Sequence, residues 1–165
     1  MFEHFDHTAD LGLRVKADTL EGLLSEAGRG LLAMHVASPE AVRGVQSKTI
    51  ELTAEDPAYL LFDWLSELLY AFESEKLLLA EFTIELSQAS GVREHPDGPD
   101  LPLAPTNREA DASRSPVRLR ATCRGEPMDP ARHNMDHEVK AITYHGLHVE
   151  QNADGTWQAE VIVDI

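Results

Sequence analysis

Two stretches of the chain repeat apolar residues at the spacing of an amphipathic helix. The first follows Asp18, which we expect to be its N-cap, and extends to about Val36. The second opens with Asp56-Pro57, a capping residue followed by proline at the first helical position, and extends to about Phe72. Leucines make up most of the apolar face of each stretch. The pattern therefore predicts two helices that bury a leucine-rich face in a common core.

Other stretches alternate apolar and polar residues, which is the period of a half-buried β-strand. They cover residues 2–5, 11–16, 49–54, 81–86, 117–124, 147–150 and 157–164. The last two flank Asn152-Ala153-Asp154-Gly155, which favours a turn, and they predict a β-hairpin that continues to Ile165. These elements predict an α+β fold, a two-layer sandwich in which two amphipathic helices cover one face of a mixed or antiparallel sheet of about six strands.

Residues 88–116 interrupt this regular pattern. They are rich in proline and polar residues and have no hydrophobic period. Because additional loop length costs little closure entropy, a fold can carry such a segment between two neighbouring strands. We therefore expect a mobile polar insertion over residues 88–116, within a single domain that covers residues 1–165.

Composition and charge narrow the range of partners. The chain is 42% hydrophobic and 26% charged, which is ordinary for a globular domain. Its formal net charge of −15 argues against broad binding to a phosphate backbone, because that mode needs a basic surface. The first residues lack the basic and apolar regions of a leader, and no apolar run approaches the roughly 20 residues that span a bilayer. We expect a cytoplasmic protein with no membrane partner, which reaches nucleic acid only through another protein.

Acidic groups from both ends of the sequence form the first candidate site. Asp10 lies where a polar loop enters a strand, and Asp164 precedes Ile165 with its α-carboxylate. Carboxylate oxygens are preferred ligands of hard divalent cations, so these three residues are candidates to hold a metal. The spacing along the chain does not link residue 10 to residue 164. The alternative interpretation is that Asp10 caps a turn and Asp164 is a solvated residue at a sheet edge.

Histidines form a second, weaker candidate. His133 and His137 have the spacing of two zinc ligands on one face of a helix. The glutamate that a zinc protease carries between them is absent, and Asp129-Pro130 together with Asn134 disfavours a helix. We therefore expect surface or hydrogen-bonded histidines here rather than a hydrolytic zinc site.

The strand at residues 117–124 has arginines on one face and Cys123 on the other. The arginines either pair with glutamates of neighbouring strands or contact phosphate or a partner. A single buried thiol belongs more often to a core than to a nucleophile. The sequence contains no Gly-rich phosphate loop, nucleophile elbow or CxxC pair, so no residue is assigned a catalytic role. The arginines are Arg118, Arg120 and Arg124, and their candidate partners are Glu51, Glu81 and Glu85.

Three blocks of sequence together carry a resemblance to a known family. They are His7-Thr-Ala-Asp-Leu-Gly-Leu-Arg14, Leu61-Phe-Asp-Trp-Leu-Ser-Glu-Leu-Leu-Tyr70, and Gly125-Glu-Pro-x-Asp followed by Glu138-Val-Lys-Ala-Ile-Thr-Tyr-His145 and a final Val163-Asp-Ile165. In this order they resemble the archease family over nearly the whole chain, with residues 88–116 outside the likeness. Leu11 and Val163 replace residues that the family usually has as isoleucine and phenylalanine, and both exchanges keep an apolar side chain.

The resemblance implies a small acidic protein cofactor, not an enzyme, for a GTP-dependent RNA ligase of the RtcB family. Such ligases act in tRNA splicing and RNA repair, where they join ends that bear a cyclic phosphate or 3′-phosphate to 5′-hydroxyl ends. The cofactor is expected to promote guanylylation and multiple turnover of the ligase. It would therefore contact RNA only indirectly, through its partner.

The resemblance also implies site residues. In the archease family a divalent ion, taken to be Ca²⁺, is held by the aspartate of the His-Thr-Ala-Asp motif, the penultimate aspartate and the terminal residue. These positions fall on Asp10, Asp164 and Ile165, and Mg²⁺ or Mn²⁺ is possible because hard oxygen sites accept several ions. Lys140, His145 and His7 are implied to contact the partner or its nucleotide.

Two other functions stay open at this stage. In the first, the protein is a metal-binding chaperone or general interaction module, whose apolar helix faces or insertion would hold client proteins. In the second, it is a metal-dependent hydrolase that acts alone, which is disfavoured because no base is evident beside the carboxylates.

Overall fold

The computed structural model describes residues 1–7, 10–88 and 115–165, without the side chain of His7. The predicted insertion over residues 88–116 therefore lies almost entirely outside the described residues. Of the predicted insertion, the structure describes only Gln88, at the end of a strand, and residues 115–116. None of the helices in these ranges is long and apolar enough to cross a membrane.

The first helix, α1, spans Leu20–His35. Its N-cap is Thr19, whose hydroxyl accepts a hydrogen bond from the Gly22 N–H at 3.0 Å. The prediction that Asp18 caps this helix is therefore wrong by one residue. Both residue types satisfy a free N–H at a helix start, and the extended backbone of Thr19 decides which of them does so.

The second helix, α2, spans Pro57–Glu75, and its predicted start is confirmed. One carboxylate oxygen of Asp56 accepts hydrogen bonds from the N–H groups of Ala58 and Tyr59. Lys76 ends the helix in a left-handed conformation with φ of 54°. Proline at the first position costs no hydrogen bond there, because the N–H that it lacks would have had no intrahelical partner.

Eight strands accompany the helices in the described residues. A short 3₁₀ helix over Pro39–Ala41 lies between α1 and the third strand. The strands are β1 (Phe2–His7), β2 (Asp10–Ala17), β3 (Gln46–Ala54), β4 (Leu77–Gln88), β5 (Val117–Pro127), β6 (Ala141–Ile142), β7 (His148–Gln151) and β8 (Trp157–Asp164). All of their pairings are antiparallel.

The α+β class is confirmed, but the strands form two sheets rather than one of about six. The first has the order β1-β2-β8-β6, with β7 also paired to β8, and the second has the order β3-β5-β4. The two central strands are paired on both edges. β2 occupies one edge of β8 while β6 and β7 share the other, and both edges of β5 are taken by β3 and β4. The sheets could therefore join only through their outer strands, and among the described residues no such pairing links them.

Both helices contact both sheets, so they share one main apolar core, beside which lies a smaller cluster of Leu32, Val36, Val42 and Leu78. Trp64 of α2 lies at its centre without solvent exposure. Its indole N–H donates to the Leu24 carbonyl of α1 at 2.8 Å, and its ring meets Phe82 of β4 edge-on at 5.4 Å. A buried tryptophan must place its N–H on an acceptor, so this bond fixes how α1 and α2 pack together.

Candidate functional site

The register between β2 and β8 brings the two predicted acidic positions together. Leu11 faces Val163 in this antiparallel pair. One further step in the same register places Asp10, the first residue of β2, opposite Asp164, the last residue of β8. Ile165 follows directly. We call Asp10, Asp164 and Ile165 the acidic tip.

Lys140 joins the acidic tip through two contacts. Its main-chain N–H donates to the Asp164 carbonyl at 2.8 Å, which continues the pairing between Ala141 and Asp164. Its side-chain ammonium donates to a main-chain oxygen of Ile165 at 3.1 Å. Lys140 therefore supplies a positive charge beside the last residue of the sequence.

The tip is held by buried neighbours although Asp164 itself is exposed. The side chain of Ile165 packs against the main core, and Val163 of β8 and Val139, in the segment before β6, are fully buried beside it. Asp10 is half-buried at the start of β2. Carboxylates that project from anchored strands lose little freedom when they bind a ligand, which favours a defined site over a flexible acidic patch.

The donor set of the tip fits a hard divalent cation. It offers carboxylate oxygens of two aspartates together with a main-chain oxygen of Ile165, and no soft sulfur or imidazole ligand. The single positive charge of Lys140 beside one of these oxygens is smaller than the two negative charges of the aspartates, so the tip still favours a cation. Within residues 1–7, 10–88 and 115–165, no three His, Cys, Asp or Glu side chains form a metal-binding cluster. A complete site here therefore needs the Ile165 oxygens as well as the two aspartates.

The two histidines predicted beside the tip have different positions. The main chain of His7 pairs with Asp10 across β1 and β2, while its side chain lies outside the described residues. His145 is exposed and lies farther along the chain from Lys140. Because Ala141 faces Asp164 and Thr143 bonds to Ile162, this segment runs away from the tip. The structure brings Lys140 to the tip, and His145 follows in an exposed turn after this segment.

A buried carboxylate that the sequence did not single out organises the segment before Lys140. Glu126, at the end of β5, is buried and pairs with Arg132. The ion pair with Arg132 lowers the pKa of Glu126 to about 2, helped by hydrogen bonds from the Arg43 N–H and from His133. One carboxylate therefore connects β5, the segment after the 3₁₀ helix, and the loop that leads to the tip. The signal in the sequence was the Gly125-Glu-Pro block, whose chemistry was not interpreted.

His133 and His137 match the prediction of hydrogen-bonded or surface histidines. His133 is buried, and its Nδ1 accepts a hydrogen bond from the Asp129 N–H at 3.0 Å. Its Nε2 lies 3.2 Å from a Glu126 oxygen, so this nitrogen carries the proton in the neutral ring. His137 is exposed beside Asp136. His133 is therefore a hydrogen-bonded structural residue.

The contacts of the β5 arginines support the interpretation that they form ion pairs with glutamates of neighbouring strands. Arg120 lies 3.5 Å from Glu51 and Arg124 lies 3.7 Å from Glu81, each across one strand pairing. Arg118 faces the neutral residues Thr53 and Ser87 in register. These exposed pairs contribute a few tenths of a kcal/mol each and balance the charge of this sheet face.

Comparison with known proteins identifies the family of this chain. The model of the Archease protein family (MTH1598/TM1083) matches residues 2–165. The chain belongs to the archease family. It is 35% identical over 165 residues to the protein archease of Methanopyrus kandleri, covering 99% of both chains. It is 33% identical over 167 residues to the protein archease of Pyrococcus furiosus, covering 99% of this chain and 98% of that one.

Two solved structures share the fold. The solution structure of protein 1598 of Methanobacterium thermoautotrophicum has a TM-score of 0.75 at 27% identity, and the match covers 99% of this chain and 98% of that one. A crystal structure of an archease of Thermotoga maritima, described as a possible chaperone, has a TM-score of 0.56 at 17% identity. That match covers 100% of this chain and 98% of the other, and it supports the archease fold alone.

Proposed function

We propose that this chain is a protein cofactor, not an enzyme, that activates a GTP-dependent RtcB-type RNA ligase in tRNA splicing and RNA repair. The observation that best supports the proposal is the β2–β8 register, which sets Asp10 opposite Asp164 beside Ile165 in a member of the archease family. The cofactor promotes guanylylation of the ligase and its multiple turnover. RNA is reached through the ligase, and no membrane takes part.

The acidic tip is the proposed point of action. Asp10 and Asp164 would hold a divalent cation together with the carboxylate of Ile165, and Ca²⁺ is the proposed ion, with Mg²⁺ and Mn²⁺ as alternatives. When bound, such an ion supplies positive charge that can offset the charge of phosphate oxygens. Lys140 holds the Ile165 oxygen in place through its ammonium group. The start of β2 and the end of β8 keep these groups at one end of the sheet.

The charge of the chain supports a basic partner. A net charge of −15 raises the encounter rate with a positively charged surface and makes that encounter sensitive to salt. Enzymes that handle RNA need such a surface to bind phosphate. An acidic cofactor is therefore suited to dock on the ligase and poorly suited to bind the RNA itself.

The experiment compares variants of the tip in ligase and metal assays. Guanylylation and multiple-turnover ligation by the cognate RtcB-type ligase are measured with and without the protein, and Ca²⁺ binding is measured by isothermal titration calorimetry. We expect Asp10→Asn and Asp164→Asn to lose most of the stimulation and to bind Ca²⁺ about tenfold or more weakly. A short extension after Ile165 should act in the same way, because it moves the terminal charge.

The matched control is Asp18→Asn, since Asp18 is an exposed aspartate beyond the opposite end of β2. It should leave both readouts unchanged. Full stimulation by the Asp10 and Asp164 variants would contradict the proposed tip. Suppressed aggregation of unrelated proteins without any effect on the ligase would instead support a chaperone, the description given to the Thermotoga maritima protein.

A further inference from the structure

Three aromatic side chains form an open cluster beside the first half of α2. The Phe62 ring stacks on Tyr144, with centroids 3.8 Å apart and ring planes 13° apart. Tyr59 meets Tyr144 edge-on at 6.0 Å. Tyr59 and Tyr144 are 53% and 56% exposed although they are large and mostly apolar. We call Tyr59, Phe62 and Tyr144 the aromatic platform.

The platform is held rigidly by its surroundings. Tyr59 and Phe62 are three residues apart and therefore lie on one face of α2. Tyr144 follows Thr143, whose N–H and hydroxyl both donate to the Ile162 carbonyl, at 3.1 and 2.9 Å. The Leu147 N–H then bonds to the Tyr144 carbonyl at 3.2 Å and closes a turn. The exposed rings are thus fixed before any partner arrives, so little entropy is lost when one binds.

The charge around the platform favours a cation. Asp56 lies at the start of α2, and Asp63 follows Phe62 directly. Partial burial and then the negative charge of Asp63 raise the pKa of Tyr144. Aromatic faces carry a negative quadrupole and attract a guanidinium group, which also stacks flat on a ring. The platform therefore offers an electrostatic and a geometric match to an arginine.

The platform and the acidic tip belong to one continuous segment. Lys140, at the tip, is four residues before Tyr144. An extended segment rises about 3.3 Å per residue, so the two features lie within roughly 13 Å of each other along the chain. A single partner surface can cover both of them.

We propose that the aromatic platform is a docking site for an arginine side chain on a basic protein surface. This inference rests on the proposed function for the identity of the partner, which is the RtcB-type ligase. The acidic tip supplies the action on the ligase, and the platform supplies orientation and affinity. Docking through Tyr144 sets which way the tip faces.

The test is the affinity of the full chain for the cognate ligase, measured by calorimetry at fixed salt concentration. The variants are Tyr59→Ala, Tyr144→Ala and Tyr144→Leu. Loss of one arginine–aromatic contact should weaken binding by about 2- to 30-fold in each of them. Leucine keeps apolar area but has no π-face, so it separates arginine stacking from simple apolar contact. The control is Tyr70→Ala, because Tyr70 is also on α2, is 56% exposed and makes no ring contact within the described residues.

Each other outcome would overturn the inference in its own way. Equal affinities for the wild type, the Tyr144 variants and Tyr70→Ala would show that the aromatic platform is not a docking site. The proposed function would be unaffected by this result. Wild-type affinity of Tyr144→Leu would indicate an apolar occupant. Dissociation of a dimer by Tyr144→Ala in sedimentation would indicate a second copy of the chain. A wild-type chain that neither binds nor stimulates the ligase would end the proposed function and the docking site together. Far-ultraviolet circular dichroism of every variant verifies that the fold is retained.

Discussion

Replacing His35 with leucine should remove a pH dependence from the stability of the fold. His35 is the last residue of α1 and is only 2% exposed. Its ring stacks on Phe72 at a centroid distance of 3.9 Å, and neither ring nitrogen has a hydrogen-bond partner among the described residues. The small cavity beside it is lined by leucines and other apolar groups, with Gly28 at one side. A charged imidazolium is therefore poorly accommodated.

The magnitude follows from the titration of this one group. Burial lowers the pKa of His35 from 6.5 to about 4. Between these values the unfolded chain binds a proton that the folded chain does not, so stability falls as the pH falls through 6.5 and stops falling below about 4. Each pH unit in this window costs about 1.4 kcal/mol. At pH 5 the folded state is expected to have lost about 2 kcal/mol relative to pH 8.

The assay is urea denaturation of the wild type and of His35→Leu at several values between pH 5 and 8, followed by circular dichroism. Their difference in unfolding free energy should grow toward pH 5 by about 2 kcal/mol in favour of the variant. The carboxylates cancel in this difference, since both proteins carry them. Glu126, with its pKa of about 2, also keeps its charge throughout this range. His35→Gln provides a second control, because it stays polar but cannot titrate.

One result would refute this reasoning. If the free-energy difference between the wild type and His35→Leu stayed constant from pH 8 to pH 5, His35 would not be a buried neutral group in the folded protein. His35→Gln distinguishes packing from titration. It should remove the pH dependence as leucine does, while leaving buried amide atoms without partners at every pH.

Three further predictions concern the core. Gly125→Ala should destabilise the fold by about 3 kcal/mol or more in urea denaturation, because its Cβ would lie 1.8 Å from the Leu78 carbonyl oxygen, and a cost below about 1 kcal/mol would contradict this close approach. Trp64→Ala should cost about 3 to 5 kcal/mol in the same assay through the lost core volume and the lost bond to Leu24, whereas a neutral effect would argue against the central place of Trp64. Burial raises the pKa of Cys123 to about 12, so a thiol reagent at pH 8 should modify it only after unfolding, and rapid labelling of the native protein would count against this.

Local patterns predicted the helices and most of the strands because their causes are local. The leucine stripes of α1 and α2 lie within each helix and their caps directly precede it, and Asp56-Pro57 gave the start of α2 correctly while the α1 cap was missed by one residue. β4 is longer than its alternating part, since Leu77, Leu78 and Leu79 are all buried and hide the two-residue period. When both faces of a strand are buried, its residues are apolar throughout, so the alternating pattern cannot show where the strand begins or ends.

The division into two sheets depends on contacts between distant residues, which periodicity does not contain. β6 has only two residues, and its strand character comes from pairing with β8 rather than from its own sequence. The acidic tip was predicted as a set of residues, but only the register of β2 against β8 brings residue 10 to residue 164. The burial of Glu126 with its partners, and the absence of a hydrogen-bond partner for the His35 ring among the described residues, likewise arise from tertiary packing. Hydrophobic periodicity does not predict them, because it detects only apolar side chains.

The central place of β8 also sets an order of events during synthesis. β1 and β2 emerge early from the ribosome, yet β2 has one edge open until β8 arrives to pair with it. β6 and β7 also pair with β8 and therefore cannot pair until it has been made. The β1–β2 hairpin therefore keeps one unpaired edge until β8 has been made, and an unpaired strand edge is prone to association with other chains. The strand pairing of the second sheet does not include β8, so its ladders can form as soon as β5 has emerged, before the shared core is complete.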